Sequence, residues 1–501
     1  MLIASTTLIL SHVTTRHSRA PPTTLPRERG VSWLTWGQCF HHMWRSPTFS
    51  SIDQGRGRVI PLVSAAVMRE CDAREVTRRG VDALVEAAGT AVAAQAHRML
   101  GGLYGRRVGV LVGPGLNGAD GRVAGALLQA RGCKVDLILV AGQPRELRRY
   151  DLVIDAAFGL GCTRPYEAPR VSAGTKVLAV DLPSGVDADT GAVLGRPLTA
   201  NVTLALGALK FAHVDGDATS VVGQLRFASL GIETPNESAL IVDADLGGYV
   251  IGRRDDHKWT HALSVLAGTP LMPGAAALVC LGALSAGASM IRLESMGKIA
   301  KLVSLPPEVV RVRGPQVDPR SKCVVAGPGL GTKAGEWLRE RLSDVAMTTV
   351  LDADALTPRM IELAHRAPRV LTPHAKEFER LGGEVVNGRR IASVRRLAAQ
   401  TGCVVLLKGP LTIISTPEGR LRVVNSGTSA LATAGTGDVL AGMIGAAIAR
   451  GHDPLDAAAL SAHLHGRAGS RLSPYESATS LPAAMTEILA TLASAVSRIP
   501  A

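Results

Sequence analysis

The sequence predicts an α/β protein of two consecutive domains, each a parallel β-sheet with helices packed on its faces. Three observations point there. The chain has 501 residues, enough for two or more domains that each bury a core. It is 46% hydrophobic but only 3% aromatic, with 54 glycines, which suits a Val, Leu and Ala core joined by glycine turns. From about Val63 onward, short β-branched runs alternate with segments of helical spacing.

Residues 1–62 show no periodicity and are rich in Ser, Thr, Pro, Arg and His, so they read as a disordered extension. The opening "MLIASTTLIL" lacks the basic flank of a secretory signal, and a cytoplasmic location is expected. The first domain is expected over 63–235. Two helical stretches, "AAVMRECDAREVTRRG" and "VDALVEAAGTAVAAQAHRML", break at Gly80. Then "RRVGVLVG" reads as a strand, "PGLNGADG" as a turn and "RVAGALLQARG" as a helix. The strands "KVDLILV", "DLVIDAAFG", "KVLAVDLPSG" and "VTLALG" follow, and the unit closes around "GQLRFASLGI". The second domain is expected over 236–501. Its strands are "HALSVLAG", "SMIRLE", "CVVAGPG", "TTVLDADAL", "RVLTPH", "VVLLKG", "LTIIST" and "LRVVNSG". It ends with the helices "DVLAGMIGAAIARG", "DPLDAAALSAHLHGRAGSRL" and "LPAAMTEILATLASAVSRI".

Bulk properties exclude several classes. The net charge is +13, but seven arginines lie in residues 1–62 and no dense Lys/Arg run follows, so no nucleic-acid partner is expected. Cysteines at 39, 71, 133, 162, 280, 323 and 403 form no CxxC pair. That argues against a zinc site or a disulfide framework and for a reducing compartment. Residues 262–291 carry no charge, yet Pro270, Pro273 and several glycines divide them into a strand, a loop and a buried helix. No membrane association is expected.

Polar groups gather at strand ends. "GPGLNGADG" (113–121) matches G-x-G-x-x-G between a strand and a helix, a pattern that lets backbone approach a phosphate at a helix N-terminus. The acid expected about twenty residues on does not close the next strand, and Asp136 sits inside it. A purely structural βα turn therefore stays open. Asp155, Asp181 and Ser184 also fall at strand ends and would share one crevice with Asn117. Carboxylate, amide oxygen and hydroxyl suit a hard cation. The alternative makes Asp155 a helix cap and Asp181 a solvated loop acid.

In "ATAGTGDVLAG" (432–442), Gly435 and Gly437 let several N–H groups converge where a helix begins, an anion cradle. Asp438 stands in the first helical turn, placed to take a proton from a hydroxyl as phosphoryl moves to it. The alternative is an N-cap aspartate with glycines for packing. Lys408 follows an apolar strand and reads as a phosphate ligand or a snorkelling surface lysine. Asp352 and Asp354 read as holding Mg²⁺ through water or as solvated loop acids.

These motifs resemble a known family. "GPGLNGADG", "DLVIDAAFGLGCTRP" and "VDLPSGVD", in that order, make residues 63 to about 232 similar to the N-terminal domain of NAD(P)H-hydrate epimerase, a Rossmann-like three-layer domain. The family's usual turn reads G-x-G-N-N-G-G-D-G, and this chain has Leu116 and Ala119 at two of those places. "PGAAALVC", "VVAGPGLGT", "VLDADAL", "VLTPHAKEFERL", "VVLLKGPLT" and "ATAGTGD" make about 236–495 resemble the ADP-dependent NAD(P)H-hydrate dehydratase domain, which is ribokinase-like. Trp259 follows Lys258 where that family usually has Gly.

The resemblance implies residue roles. Asn117, Asp155 and Ser184 would hold a potassium ion. Leu116, Asn117, Gly118, Ala119 and Asp120, with Gly159, Leu160, Gly161, Cys162, Thr163, Arg164 and Pro165, would contact the hydrated cofactor. Asp181 would meet its reacting end as a catalytic residue. In the second domain, Ala275, Gly329 and His374 would contact the hydrated nicotinamide, with His374 as a satisfied loop histidine the alternative. Lys408, Gly409, Pro410, Leu411, Thr412 and Gly437 would hold the adenine nucleotide. Asp438 would touch substrate as the catalytic carboxylate. Mg²⁺ is the implied ion and ADP the co-substrate. The implied function is repair of hydrated NAD(P)H: exchange of the R and S hydrates, and ADP-dependent dehydration of the S form with release of AMP and phosphate. A homo-oligomer is expected. The alternative is a ribokinase-like small-molecule kinase with a non-catalytic N-terminal binding domain.

Overall fold

A computed structural model describes residues 59–249, 257–299, 301–314, 316–363, 367–385, 389–473 and 475–496. The expectation for residues 1–58 lies outside them.

The first domain holds a six-stranded parallel sheet. Its spatial order is Gln224–Ala228, Val202–Leu206, Lys176–Val180, Leu152–Ala156, Arg107–Val112, Lys134–Leu139. The inner strands read as near-continuous apolar runs because both faces are covered. Register sets Ile154 beside Val110 and Leu178, and Leu178 beside Val202. All strands point the same way, so the loops after Val112, Ala156 and Val180 open at one edge. The helices Ala65–Arg79 and Val81–Leu100 precede the sheet; Ser64 caps the first, its Oγ accepting from Val67 N at 3.3 Å.

The second sheet has twelve strands. From Val404–Leu407 the parallel neighbours run Arg369–Leu371, Thr348–Leu351, Cys323–Ala326, Ala262–Leu266, Met290–Glu294 and Val309–Arg311. On the other side Thr412–Ser415 pairs antiparallel with both Val404–Leu407 and Leu421–Val424. Beyond these lie Ser238–Leu240, Ile60–Val63 and Leu209–Lys210. The last two come from the first-domain segment, so one sheet joins both halves. The core on one face accordingly includes Leu62, Ala205 and Leu209. On the other face the Pro273–Ser285 and Thr436–Ala449 helices approach closely, since a Cβ on Gly282 would lie 2.2 Å from Val439 O.

Four strands of this sheet carry no sequence signal. Ile60–Val63 corrects the boundary at residue 62, because order begins before Val63. Ser238–Leu240 and Val309–Arg311 have three residues each and Leu209–Lys210 two, too few for periodicity to register. The uncharged stretch resolves into the Ala262–Leu266 strand and the Pro273–Ser285 helix. Among the described residues no helix is long and apolar enough to cross a membrane.

Candidate active sites

The carboxyl ends of the first sheet open on a cavity of about 390 Å³. Leu116, Asn117, Asp120, Gly159, Leu160, Gly161 and Asp181 line it, joined by Asp72 and Lys210. Gly118, Ala119, Cys162, Thr163, Arg164 and Pro165 are not among its lining. Gly118 is buried against the Gly113 backbone, Ala119 is half-buried, Cys162 is buried, and Thr163, Arg164 and Pro165 are exposed. Residues 116–120 are not a loop, as the sequence suggested. The helix Leu116–Gln129 starts there, with Gly115 as N-cap. The turn-like glycines mislead: a Cβ on Gly121 would sit 2.6 Å from the Ala156 Cβ, so that residue serves helix–sheet packing.

Asp155 and Asp181 are neither a simple cap nor a solvated acid. Asp155 is wholly buried; its Oδ1 accepts from Ser184 Oγ at 2.6 Å and its Oδ2 from Ser184 N at 2.9 Å. No cation among the described residues pairs with it, and burial pushes its carboxyl up from the usual range. Phe158 N donates to Ser184 Oγ at 2.8 Å, and the Asn117 amide lies against Gly159. Thus Asn117, Asp155 and Ser184 gather around Phe158–Gly159. The Asn117 NH₂ is buried with no partner among the described residues.

Asp181 has φ +63° and is buried beside Lys210, whose Nζ lies 2.5 Å from its Oδ1. His213 Nδ1 accepts from Lys210 N at 2.9 Å, so its Nε2 carries the proton and donates to Asp181 O at 2.6 Å. Burial, then Lys210, push His213 down to about 4, which keeps it neutral. Asp120 has no such partner. Burial, then Asp181 and Asp72, push its carboxyl up to about 8.

In the second domain, Gly435 at φ +89° caps the helix Thr436–Ala449 and puts Asp438 in its first turn. A Cβ on Gly437 would lie 3.3 Å from Lys408 Nζ, so that ammonium hangs over the turn. Lys408 is no snorkelling lysine. Its Nζ pairs with Asp352 Oδ1 at 2.9 Å and approaches Glu377 Oε2 at 3.9 Å. Burial opposes its charge, but Asp352, Glu377 and Asp438 together raise its pKa. For Asp438, burial and Asp352 outweigh Lys408 and push the carboxyl up to about 7. Gly409, Pro410, Leu411 and Thr412 form the turn directly after Lys408, tied by Thr412 Oγ1 donating to Gly409 O at 3.2 Å.

Ala275 and Gly329 meet: a Cβ on Gly329 would lie 2.6 Å from the Ala275 Cβ. The same loop donates Gly331 N to Asp354 Oδ2 at 2.7 Å. His374 is the N-cap of a short helix Ala375–Arg380, in a reciprocal box with Glu377, and its side chain is half exposed. Asp352 is not a solvated loop acid; Lys408 and Thr372 Oγ1 occupy its Oδ1. Among the described residues no group of three or more His, Cys, Asp or Glu is arranged to hold a metal.

The sequence reading missed Asp72, Lys210, Glu377 and His465. Burial above all, with Lys408 adding to it, pushes His465 down to about 4, against a backbone hydrogen bond at Thr436. No local signal marks Asp72, Lys210 or His465, and Lys210 is a lone lysine within "LALGALKFAHV"; Glu377 sits inside "VLTPHAKEFERL", three residues after His374.

The chain is similar in sequence to known proteins. A family model described as NAD(P)H-hydrate dehydratase matches residues 263–491. Another, described as YjeF-related protein N-terminus, matches 81–149 and 142–212. The bifunctional NAD(P)H-hydrate repair enzyme of Mycobacterium leprae is 36% identical, over 74% of this chain and 84% of its own. That of Escherichia coli is 32% identical, over 72% and 80%. The crystal structure of an ADP/ATP-dependent NAD(P)H-hydrate dehydratase from Bacillus subtilis, with ATP and Mg²⁺, aligns at 28% identity and a TM-score of 0.45, over 50% of this chain and 97% of that one. The chain belongs to the family of bifunctional NAD(P)H-hydrate repair enzymes, with an epimerase domain followed by a dehydratase domain.

Proposed function

We propose that Asp438 is the catalytic base of the dehydratase and that ADP is its phosphoryl donor. The observation that carries this is the carboxyl of Asp438, raised to about 7 at a glycine-capped helix N-terminus beside the Lys408 ammonium. Such a group is poised to take a proton near neutral pH. The N–H groups of the Gly435–Gly437 turn and Lys408 receive the nucleotide phosphates, with Gly409–Thr412 beside them. Ala275, Gly329 and His374 contact the hydrated nicotinamide.

Asp438 removes the proton of the ring hydroxyl as phosphoryl moves to its oxygen, leaving AMP. Phosphate is a better leaving group than hydroxide. It departs as the ring nitrogen donates its electron pair, and loss of a proton from the neighbouring carbon restores NAD(P)H. Mg²⁺ offsets the phosphate charge when bound. Asp352 Oδ1 is engaged by Lys408 and Thr372, so Asp354 would be the carboxylate that meets the ion, through water.

In the first domain Asp181 faces the reacting end of the hydrate, and the phosphates rest near Gly159–Gly161. A potassium ion held by Asn117, Asp155 and Ser184 would offset a buried carboxylate and attract phosphate. Two features support that fit: Asp155 is buried without a cationic partner, and Asn117 is free to turn its amide oxygen inward. Among the described residues six cysteines are free and buried, which supports a reducing compartment such as the cytoplasm.

The test is Asp438→Asn in the full chain. Dehydration with ADP is expected to collapse while R/S exchange continues. Retained dehydration would remove Asp438 from the mechanism.

A further inference from the structure

Among the described residues the epimerase cavity contains one buried cation, Lys210, 1% exposed and beside Asp181 in the lining. Its ammonium lies 2.5 Å from Asp181 Oδ1 and 2.8 Å from Leu206 O. Leu206 N donates to the same Oδ1 at 3.1 Å. Both donors therefore converge on one carboxylate oxygen. No hydrogen bond from a described residue goes to Oδ2.

The backbone of Asp181 needs holding too. Its φ of +63° lies in the left-handed region, which costs a non-glycine residue energy and persists only where the surroundings fix it. His213 supplies that fix through Asp181 O, and is itself oriented by Lys210 N. One short segment, residues 206–213, thus clamps both ends of the aspartate.

The segment is anchored from outside the six-stranded sheet. Leu209–Lys210 pairs parallel with Ile60–Val63, which pairs antiparallel with Ser238–Leu240. Asp181 follows a strand of the first sheet; Lys210 belongs to the edge of the long one. Their alignment depends on how the two sheets are joined.

We infer that Lys210 is a positioning residue for epimerisation: it pins Asp181 through Oδ1 and leaves Oδ2 to the reacting end of the hydrated cofactor. This rests on reading the cavity as the epimerase site and Asp181 as its catalytic carboxylate. A neutral side chain at 210 leaves a buried carboxylate without its counter-charge, so the aspartate reorients. A misplacement of that kind costs up to about a hundredfold in rate.

The experiment compares full-length wild type, Lys210→Met, Lys210→Arg, Asp181→Asn and the double variant K210M/D181N. R-to-S exchange is the readout, and ADP-dependent dehydration in the same sample controls for folding. K210M is expected to lower the epimerase kcat at least tenfold, to about a hundredfold, with KM little changed and dehydration intact. K210R is expected to recover part of the loss. The double variant is expected to be no slower than D181N, because Lys210 acts only through Asp181. Should K210M lose dehydration through misfolding, the double variant, which buries no unpaired charge, carries the comparison with D181N. Wild-type kcat in K210M overturns the inference, as does a double variant slower than D181N by the factor K210M imposes on wild type. Both outcomes leave the cavity's role standing. A wild type that does not accelerate exchange defeats the epimerase reading itself, and this inference with it.

Discussion

Lys408 and Asp352 form an ion pair, Nζ to Oδ1 at 2.9 Å, with the aspartate buried and the lysine half-buried, at the edge of the glycine turn that carries Asp438. The two residues stand 56 positions apart and end neighbouring regions of one sheet. The pair sets the electrostatics around Asp438. Asp352 repels Asp438, while the lysine that attracts Asp438 is already engaged.

The first prediction concerns the base. Asp438→Asn should lower ADP-dependent dehydration by about 10²–10⁴-fold, the range for loss of a general base. The R/S exchange rate should not change, because the cavity proposed for it lies in the other domain. Parallel assays of the two reactions on one preparation check this.

A second prediction follows from the raised carboxyl of Asp438, about 7. A base works ionised, so dehydratase kcat/KM should rise with pH through about 7 and level off above. A proton donor would give the opposite slope. A profile from pH 5.5 to 9 under saturating nucleotide decides between them.

The same shift has a cost in stability. A carboxyl raised in the folded state holds its proton more tightly than in the unfolded chain. Its stabilising contribution is complete below about 4, the unfolded value, and is lost as pH rises through about 7. Asp438→Asn removes that loss. Its melting temperature should therefore exceed wild type more at pH 8 than at pH 5, by differential scanning calorimetry.

Lys408→Met should leave Asp352 buried and unpaired, destabilising the chain by about 3 kcal/mol. It should also raise the KM for ADP. Adding Asp352→Asn should recover stability, since no buried charge is then left alone, but not nucleotide affinity. Chemical denaturation and ADP titration separate the two effects.

Ser184→Ala removes the hydroxyl that Asp155 Oδ1 accepts from at 2.6 Å. Exchange of R and S hydrates should slow and lose its response to potassium, with dehydration unaffected. Rates in potassium and sodium buffers test this; a variant that responds to potassium like wild type would remove Ser184 from the ion site.

Much of this was legible in the sequence, for reasons that also explain the gaps. Buried parallel strands such as Leu152–Ala156 and Val404–Leu407 are continuous apolar runs, and they stand out. Asp438 was placed in its helical turn because the two preceding glycines mark where the backbone changes direction. The start at Leu116 was not legible, because glycines used for close packing look like glycines used for turning. Ile60–Val63 carries Pro61 and borders the aperiodic first stretch, so the strand that joins the two halves is not legible. The pairs Lys210–Asp181 and Lys408–Asp352 are products of sheet topology and obey no spacing rule.

The most direct test is recovery of NADH near-ultraviolet absorbance from a mixture of R and S hydrates, with ADP or ATP supplied and the epimers separated by chromatography. Repair by both domains predicts that ADP restores absorbance and that both epimers disappear, R no slower than exchange allows. Absence of recovery with either nucleotide, or accumulation of a stable phosphorylated product, would contradict it.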